Sequence, residues 1–184
     1  INTVYTAGSA GTITGLGNED ITLTGAITVA QFNTVAANTT GVITATISAG
    51  DMSSLNAITE TGNALTITVA DSSVTAADLN TLDAKTTVAV QAGNVTSLSG
   101  TATEVKAAYT ADAAGTLILS NDEAVTISDT TIDAAVLITL DNHTSGIIDA
   151  SSIKTLTGSD TDKETVRASS GITGLPSGGA NIIS

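Results

Sequence analysis

The sequence predicts a repeat solenoid: a right-handed ladder of parallel β-strands joined by short helices, an α/β solenoid. Three observations lead there. Thr22-x-Thr24, Thr44-x-Thr46 and Thr66-x-Thr68 recur 22 residues apart, each inside an apolar stretch. Residues 27–45 align without gaps to 74–92 at a shift of 47, and that segment aligns to 132–150 at a shift of 58. The interior must be thin, because 41% of the residues are hydrophobic but only 2% are aromatic. A fixed period of this size marks stacked coils that bury their apolar sides on one another.

Taken in order, the repeats give a single array over residues 1–184, with coils starting near Asn18, Val42, Ala64, Thr87, Ala124 and Gly146. The first coil opens with the strand pattern Ile21-Thr22-Leu23-Thr24 and continues into a helix with Thr28 as its cap and Phe32-x-x-Val35 as its apolar pair. The second repeats this with Ile43-Thr44-Ala45-Thr46, then a short helix over 52–58 carrying Leu55-x-x-Ile58. The third is the clearest: the β-branched run Leu65-Thr66-Ile67-Thr68-Val69 favours a pleated strand. Thr75 then caps a helix with Asp78 at the third position, and Leu79-x-x-Leu82 faces inward. The fourth, with Val88-Ala89-Val90-Gln91, is the long one, its extra length lying around 115–123. In the fifth, Val125-Thr126-Ile127 is the strand, Asp133 the cap, and Leu137 and Leu140 the apolar pair. The sixth opens at Gly146, which like Gly41 is expected to stop the preceding helix.

Successive strands separated by one helix call for parallel pairing with right-handed crossovers. Helices of about three turns need the stacking to hold them. The rival is an all-β solenoid in which the Ala-rich stretches are loops or short strands. Beyond the apolar columns, Thr39, Thr86 and Thr144 share a position, as do Ala45, Ala92 and Ala150. Val95–Gly100 matches Ile153–Gly158, and Tyr5–Thr12 matches Tyr109–Thr116.

Charge restricts the partners. The net charge is −13 with five basic residues, so there is no basic footprint for nucleic acid or for an anionic membrane surface. No apolar run reaches bilayer length. The absence of Cys suits an exported protein. The repeats run to both ends without a polar cap, Tyr5 beginning inside a motif and Gly178-Gly179-Ala180-Asn181 leading towards a further coil. The expectation is a piece of a longer array.

Ala77-Asp78-Leu79-Asn80-Thr81-Leu82-Asp83, Val95-Thr96-Ser97-Leu98-Ser99-Gly100-Thr101-Ala102 and Ser170-Gly171-Ile172-Thr173-Gly174-Leu175 carry a resemblance. They resemble repeats of the giant cell-surface proteins of marine cyanobacteria, the type linked to swimming without flagella, and of related marine bacterial and phage proteins. The resemblance spans nearly the whole chain and implies an extracellular structural or adhesive role at a cell or virion surface. It brings no catalytic motif. The first two coils depart from it, with Ala36 where Asp83 and Asp141 stand.

No residue is expected to be catalytic. His143 is the only histidine and no Ser sits in a Gly-x-Ser-x-Gly elbow. At a predicted helix end, His143 is expected to favour the dipole as a C-terminal cation. A polysaccharide-acting enzyme would need two acids facing a cleft. Calcium has weak candidates in Asp160, Asp162 and Glu164, spaced like part of a calcium loop but without its Gly and distal Glu. Asp20 and Asp122 belong to the acidic turns Asn18-Glu19-Asp20 and Asn121-Asp122-Glu123, which precede strands at matching places. Solvated, self-capped turns are the simpler reading of these. No cofactor is expected. The Thr pairs Thr22/Thr24, Thr44/Thr46 and Thr66/Thr68 would form a double outward column, the arrangement an ice- or glycan-binding solenoid would use. The simpler reading is a Thr-coated sheet that stays soluble. The predicted function is therefore a non-enzymatic scaffold, filament or surface-layer component that contacts further copies or neighbouring repeats of its parent chain.

Overall fold

The computed structural model describes residues 2–176, so the expected lead-in at 178–181 lies outside the described residues. The chain is α/β, with strands pairing in parallel and short helices between them. In order, it runs α1 (Asn2–Ser9), β1 (Ile21–Ile27), α2 (Val29–Ala36), β2 (Ile43–Ile47), α3 (Met52–Leu55) and β3 (Ala64–Thr66). Next come β4 (Ser73–Thr75), α4 (Ala76–Asp83), β5 (Val90–Gln91), β6 (Ser97–Gly100), α5 (Ala102–Ala114) and β7 (Leu117–Ile118). The rest is β8 (Ala124–Ile127), β9 (Thr131–Asp133), α6 (Ala134–Asp141), β10 (Ile148–Asp149), β11 (Thr155–Thr157), α7 (Asp160–Ala168) and β12 (Ile172–Thr173).

Four sheets follow: β1-β2-β3, β12-β10-β8-β6-β4, β11-β9 and β5-β7. Partner spacing varies from 20 residues (Thr44 to Ala64) to 27 (Val90 to Leu117). The Ala-rich stretches are helical, which removes the all-β alternative. Their caps explain why. Thr28, Thr75 and Asp133 each accept a backbone N–H of the first turn, and Asp51, Thr101 and Ser159 do the same for α3, α5 and α7. Capping boxes close at Thr28/Gln31 and Thr101/Glu104. At Thr75 the Asp78 carboxylate instead takes the Thr75 hydroxyl, at 2.7 Å, because its side chain is one methylene shorter than Glu.

The helices are shorter than expected, α2, α4 and α6 having 8 residues each. The predicted apolar columns are the core: Phe32, Leu55, Leu79, Leu82, Leu137 and Leu140 are all 0% exposed. The role assigned to Gly41 and Gly146 needs correction. Helices α2 and α6 end earlier, on Ala37 and Asn142 in right-handed conformation. Both glycines are instead places of close approach, where a Cβ would collide with the Glu19 and Glu123 carbonyls respectively.

The alternating strands immediately before several helices escaped the sequence reading. β6 and β11, with Leu98 and Leu156 inward between hydroxyl residues, are of this kind. In the expected long segment, α5 reaches 13 residues, ends on left-handed Gly115 and is followed by β7.

Candidate functional site

Three groups of residues carry the surface chemistry. The first is the Thr face. Thr22, Thr24, Thr44, Thr46 and Thr66 are exposed and Thr68 half-buried, while Ile43, Ala45, Leu65 and Ile67 point inward and are buried. The facing is as alternation predicts. The register is not. Thr22 pairs with Thr44, but Thr44 pairs with Ala64 and Thr46 with Thr66. Thr24 has no Thr partner, because the β1–β2 register slips between Thr22 and Ala26, around left-handed Gly25 (φ 82°). The bulge absorbs two residues of β1, so the β1–β2 spacing falls from 22 to 20, and β2 pairs with β3 at 20 throughout. The continuous double column therefore does not form, and Thr68 lies opposite Gln91.

The second group is acidic. Asp20 accepts the Val42 N–H at 2.7 Å, tying the turn before β1 to the start of β2. Asp122 is exposed, and its neighbour Glu123 is the structural acid: fully buried, it accepts the Ser120 and Asn121 N–H groups at 2.8 and 3.0 Å. Asp160, Asp162 and Glu164 lie on the first turns of α7 rather than in a loop. Asp162 accepts the Ser159 hydroxyl at 2.6 Å, and Asp160 pairs with Lys163 at 3.5 Å. Among the described residues, no three Asp, Glu or His side chains gather as a metal site would require. A groove of about 450 Å³ between α2 and α3 is lined by Thr28, Val29, Asn33, Ser48 and Leu55, with no carboxylate.

The third group surrounds Glu123. The buried Tyr109 hydroxyl donates to its Oε2 at 3.4 Å, and burial pushes that phenol well above its ordinary value. The exposed His143 lies two residues beyond α6 and stacks on the Tyr109 ring, with centroids 5.3 Å apart and planes 7° from parallel. Its contact is thus aromatic as well as terminal. The matched Thr column has a definite job: the Thr39 and Thr144 hydroxyls donate to the Glu19 and Glu123 carbonyls at 2.7 and 2.8 Å and accept the N–H groups of Gly41 and Gly146. Thr86 does likewise with the Leu65 carbonyl and the Val88 N–H. Each hydroxyl fastens a turn to the strand segment that precedes it in the sheet.

Side-chain amides make a parallel series on the helices. Asn33 donates to the Ala57 carbonyl at 2.7 Å, Asn56 to Asp78 at 2.7 Å and Asn80 to the Glu104 carbonyl at 2.9 Å. The sequence reading missed this series, although the Asn positions recur with a spacing near that of the apolar pairs. No helix among the described residues is long and apolar enough to cross a membrane. Comparison with protein-family models, characterised proteins and solved structures finds no match for this chain.

Proposed function

We propose that the chain is a right-handed α/β solenoid that serves as a non-enzymatic, extracellular scaffold at a cell or virion surface. The observation that supports this best is the recurrence of one fastening between successive segments. Thr39, Thr86 and Thr144 hold three of the turns to the strand segment before them, and Asn33, Asn56 and Asn80 tie α2, α3 and α4 to the segments that follow. A body fastened this way between successive segments extends by addition of like units, each contacting only its neighbours. Parallel partner spacings of 20 to 27 residues suit such a stack.

The chemistry of the surface agrees with a spacer more than with a receptor. Most of its outward strand positions are Thr or Ser, hydrated but small, and a net charge of −13 keeps copies dispersed at low salt. Calcium, glycan and ice binding are not part of the proposal, because the acids are engaged in turns and caps and the Thr columns are out of register. An antibody raised against the chain tests the placement. It should label intact cells or particles that carry the protein, and labelling only after permeabilisation would refute an extracellular scaffold.

A further inference from the structure

From α2 onward, each helix except α3 is entered from a short extended segment that carries one large aliphatic residue. That residue is Ile27 before α2, Val74 before α4, Leu98 before α5, Ile132 before α6 and Leu156 before α7. Val74, Leu98, Ile132 and Leu156 are at most 6% exposed, and Ile27 is half-buried. The segment before α3, Ser48-Ala49-Gly50, has no such residue. The groove of about 450 Å³ between α2 and α3 opens over this segment. Ala49 and Gly50 line it together with Val29, Ala30 and Leu55, and none of its lining side chains is charged.

Geometry does not require a glycine at 50. Gly100 and Gly158 also stand just ahead of helix caps, but they have φ of 155° and 100°. A Cβ on either would lie 2.9 Å from a carboxylate oxygen, of Glu104 and Asp133 respectively. Gly50 is not left-handed, and its Cβ would meet only the Ser48 carbonyl at 3.6 Å and the Leu55 side chain at 3.7 Å, which are ordinary contacts. A glycine in extended backbone that is free of both demands marks a place where another group approaches the chain closely. The Ala49 N–H and carbonyl make no hydrogen bond to the described residues, so the same segment offers open backbone groups.

Charge decides what stands beside the missing side chain. Asp51 follows Gly50 and accepts the N–H of Ser54, a lining residue, at 2.8 Å. Asp71 accepts the Met52 N–H at 2.5 Å. Neither carboxylate has an ion-pair partner among the described residues. We propose that the groove takes a Val or Ile residue of an extended peptide from a partner protein, with a Lys or Arg next to it. The aliphatic group fills the room over Gly50, as Val74 and Ile132 fill the places ahead of their own caps. The peptide exchanges backbone hydrogen bonds with Ala49, and its cation meets Asp51 and Asp71. The group leaving water is uncharged, as an uncharged lining requires. The ion pair sits at the rim, where it contributes salt dependence more than affinity. Extended backbone plus one side-chain pocket is an established way to read short peptides.

Amide NMR of the full chain, titrated with acetyl-Val-Lys-amide, tests the groove. The amides of Asn33, Ala49, Gly50 and Ser54 should shift together and saturate, with a Kd on the order of a millimolar for so small a probe. Acetyl-Gly-Lys-amide should leave them unmoved. Acetyl-Val-Glu-amide should bind more weakly than the Lys probe, and salt should narrow that difference. Gly50→Val supplies the absent side chain without a clash, so it should fold and lose the shifts. Ala30→Leu fills the groove from α2 and should lose them too. Circular dichroism melts establish that both variants are folded, and if one is not, the other decides. Absence of saturable shifts in the parent chain, equal response to the Val and Gly probes, or binding that survives in a folded filled variant would overturn the site. Equal affinity for the Lys and Glu probes would overturn the basic neighbour. Antibody labelling bears only on where the scaffold is displayed, so the groove and the scaffold reading can each fail without the other.

Discussion

Replacing Lys163 by Met should stabilise the protein. Lys163 is the fourth residue after the cap Ser159, the position Leu79 holds after Thr75 and Leu137 after Asp133. Those leucines are 0% exposed and Lys163 is 3% exposed, so a charge occupies a core position. Its ion-pair partner is Asp160, 3.5 Å away, whose side chain is 85% exposed. With one partner in water, the attraction is worth about 1 kcal/mol or less. Removing the ammonium from water costs several kcal/mol even after relaxation, so the charge loses more than the pair returns. Met keeps the length and the apolar stem without the charge, so the desolvation cost is removed while the exposed Asp160 carboxylate stays hydrated. Urea unfolding should show a higher midpoint with an unchanged slope, and a melting temperature raised by about 2–4 °C per kcal/mol. Asp160→Asn should cost under about 1 kcal/mol, since its carboxylate is solvated. A Met variant less stable than the parent would refute the reasoning, because it would mean the ammonium is satisfied by more than Asp160.

Leu79→Ala should destabilise by about 2–5 kcal/mol on urea unfolding, since the side chain is wholly buried; a change near zero would contradict its place in the core. Thr144→Val should cost about 1–3 kcal/mol by leaving the Gly146 N–H and the Glu123 carbonyl without the hydroxyl, while Thr144→Ser keeps most of the stability. A loss in the Ser variant with none in the Val variant would show that the methyl rather than the hydroxyl matters. Asp51 is held below the ordinary aspartate value of 3.8, first by the Ser54 N–H, then by the Ser54 hydroxyl and last by the Ser53 hydroxyl. Folding lowers this pKa, so its contribution is present above 3.8 and is lost as pH falls through the lower folded value. A carboxyl NMR titration of the folded chain should place the Asp51 midpoint below 3.8, and a midpoint at or above it would contradict the cap.

The parts legible in the sequence are those where residue class decides. The apolar pairs, the caps Thr28, Thr75 and Asp133, and the inward–outward alternation of 43–47 follow from periodicity and side-chain chemistry. Register was not legible. Thr22, Thr44 and Thr66 align in sequence, but β2 and β3 pair at a spacing of 20 that sets Thr66 opposite Thr46, and the β1 bulge beside left-handed Gly25 leaves Thr24 without a Thr partner. A gapless alignment counts residues, whereas a sheet counts only those that rise along the strand. Gly41 and Gly146 were legible as required glycines but not for the right reason: helix stops and close approaches demand the same residue. What distinguishes them is the sign of φ and the carbonyl the missing Cβ would meet.

The acidity of the chain also has a local cause. In a stack of short strands, turns are frequent, and each turn leaves backbone N–H groups without strand partners. Carboxylates serve as the acceptors for several of these groups. Asp71 takes the Met52 N–H at 2.5 Å, Asp129 that of Ala102 at 2.7 Å and Asp112 that of Leu119 at 2.8 Å. Asp20 and Glu123 do the same at the two matched turns. Bonds from an N–H to a carboxylate are stronger than neutral ones. The same charges that repel neighbouring copies therefore hold each turn closed. The carboxylates of these turns are thus part of the backbone hydrogen bonding that closes them.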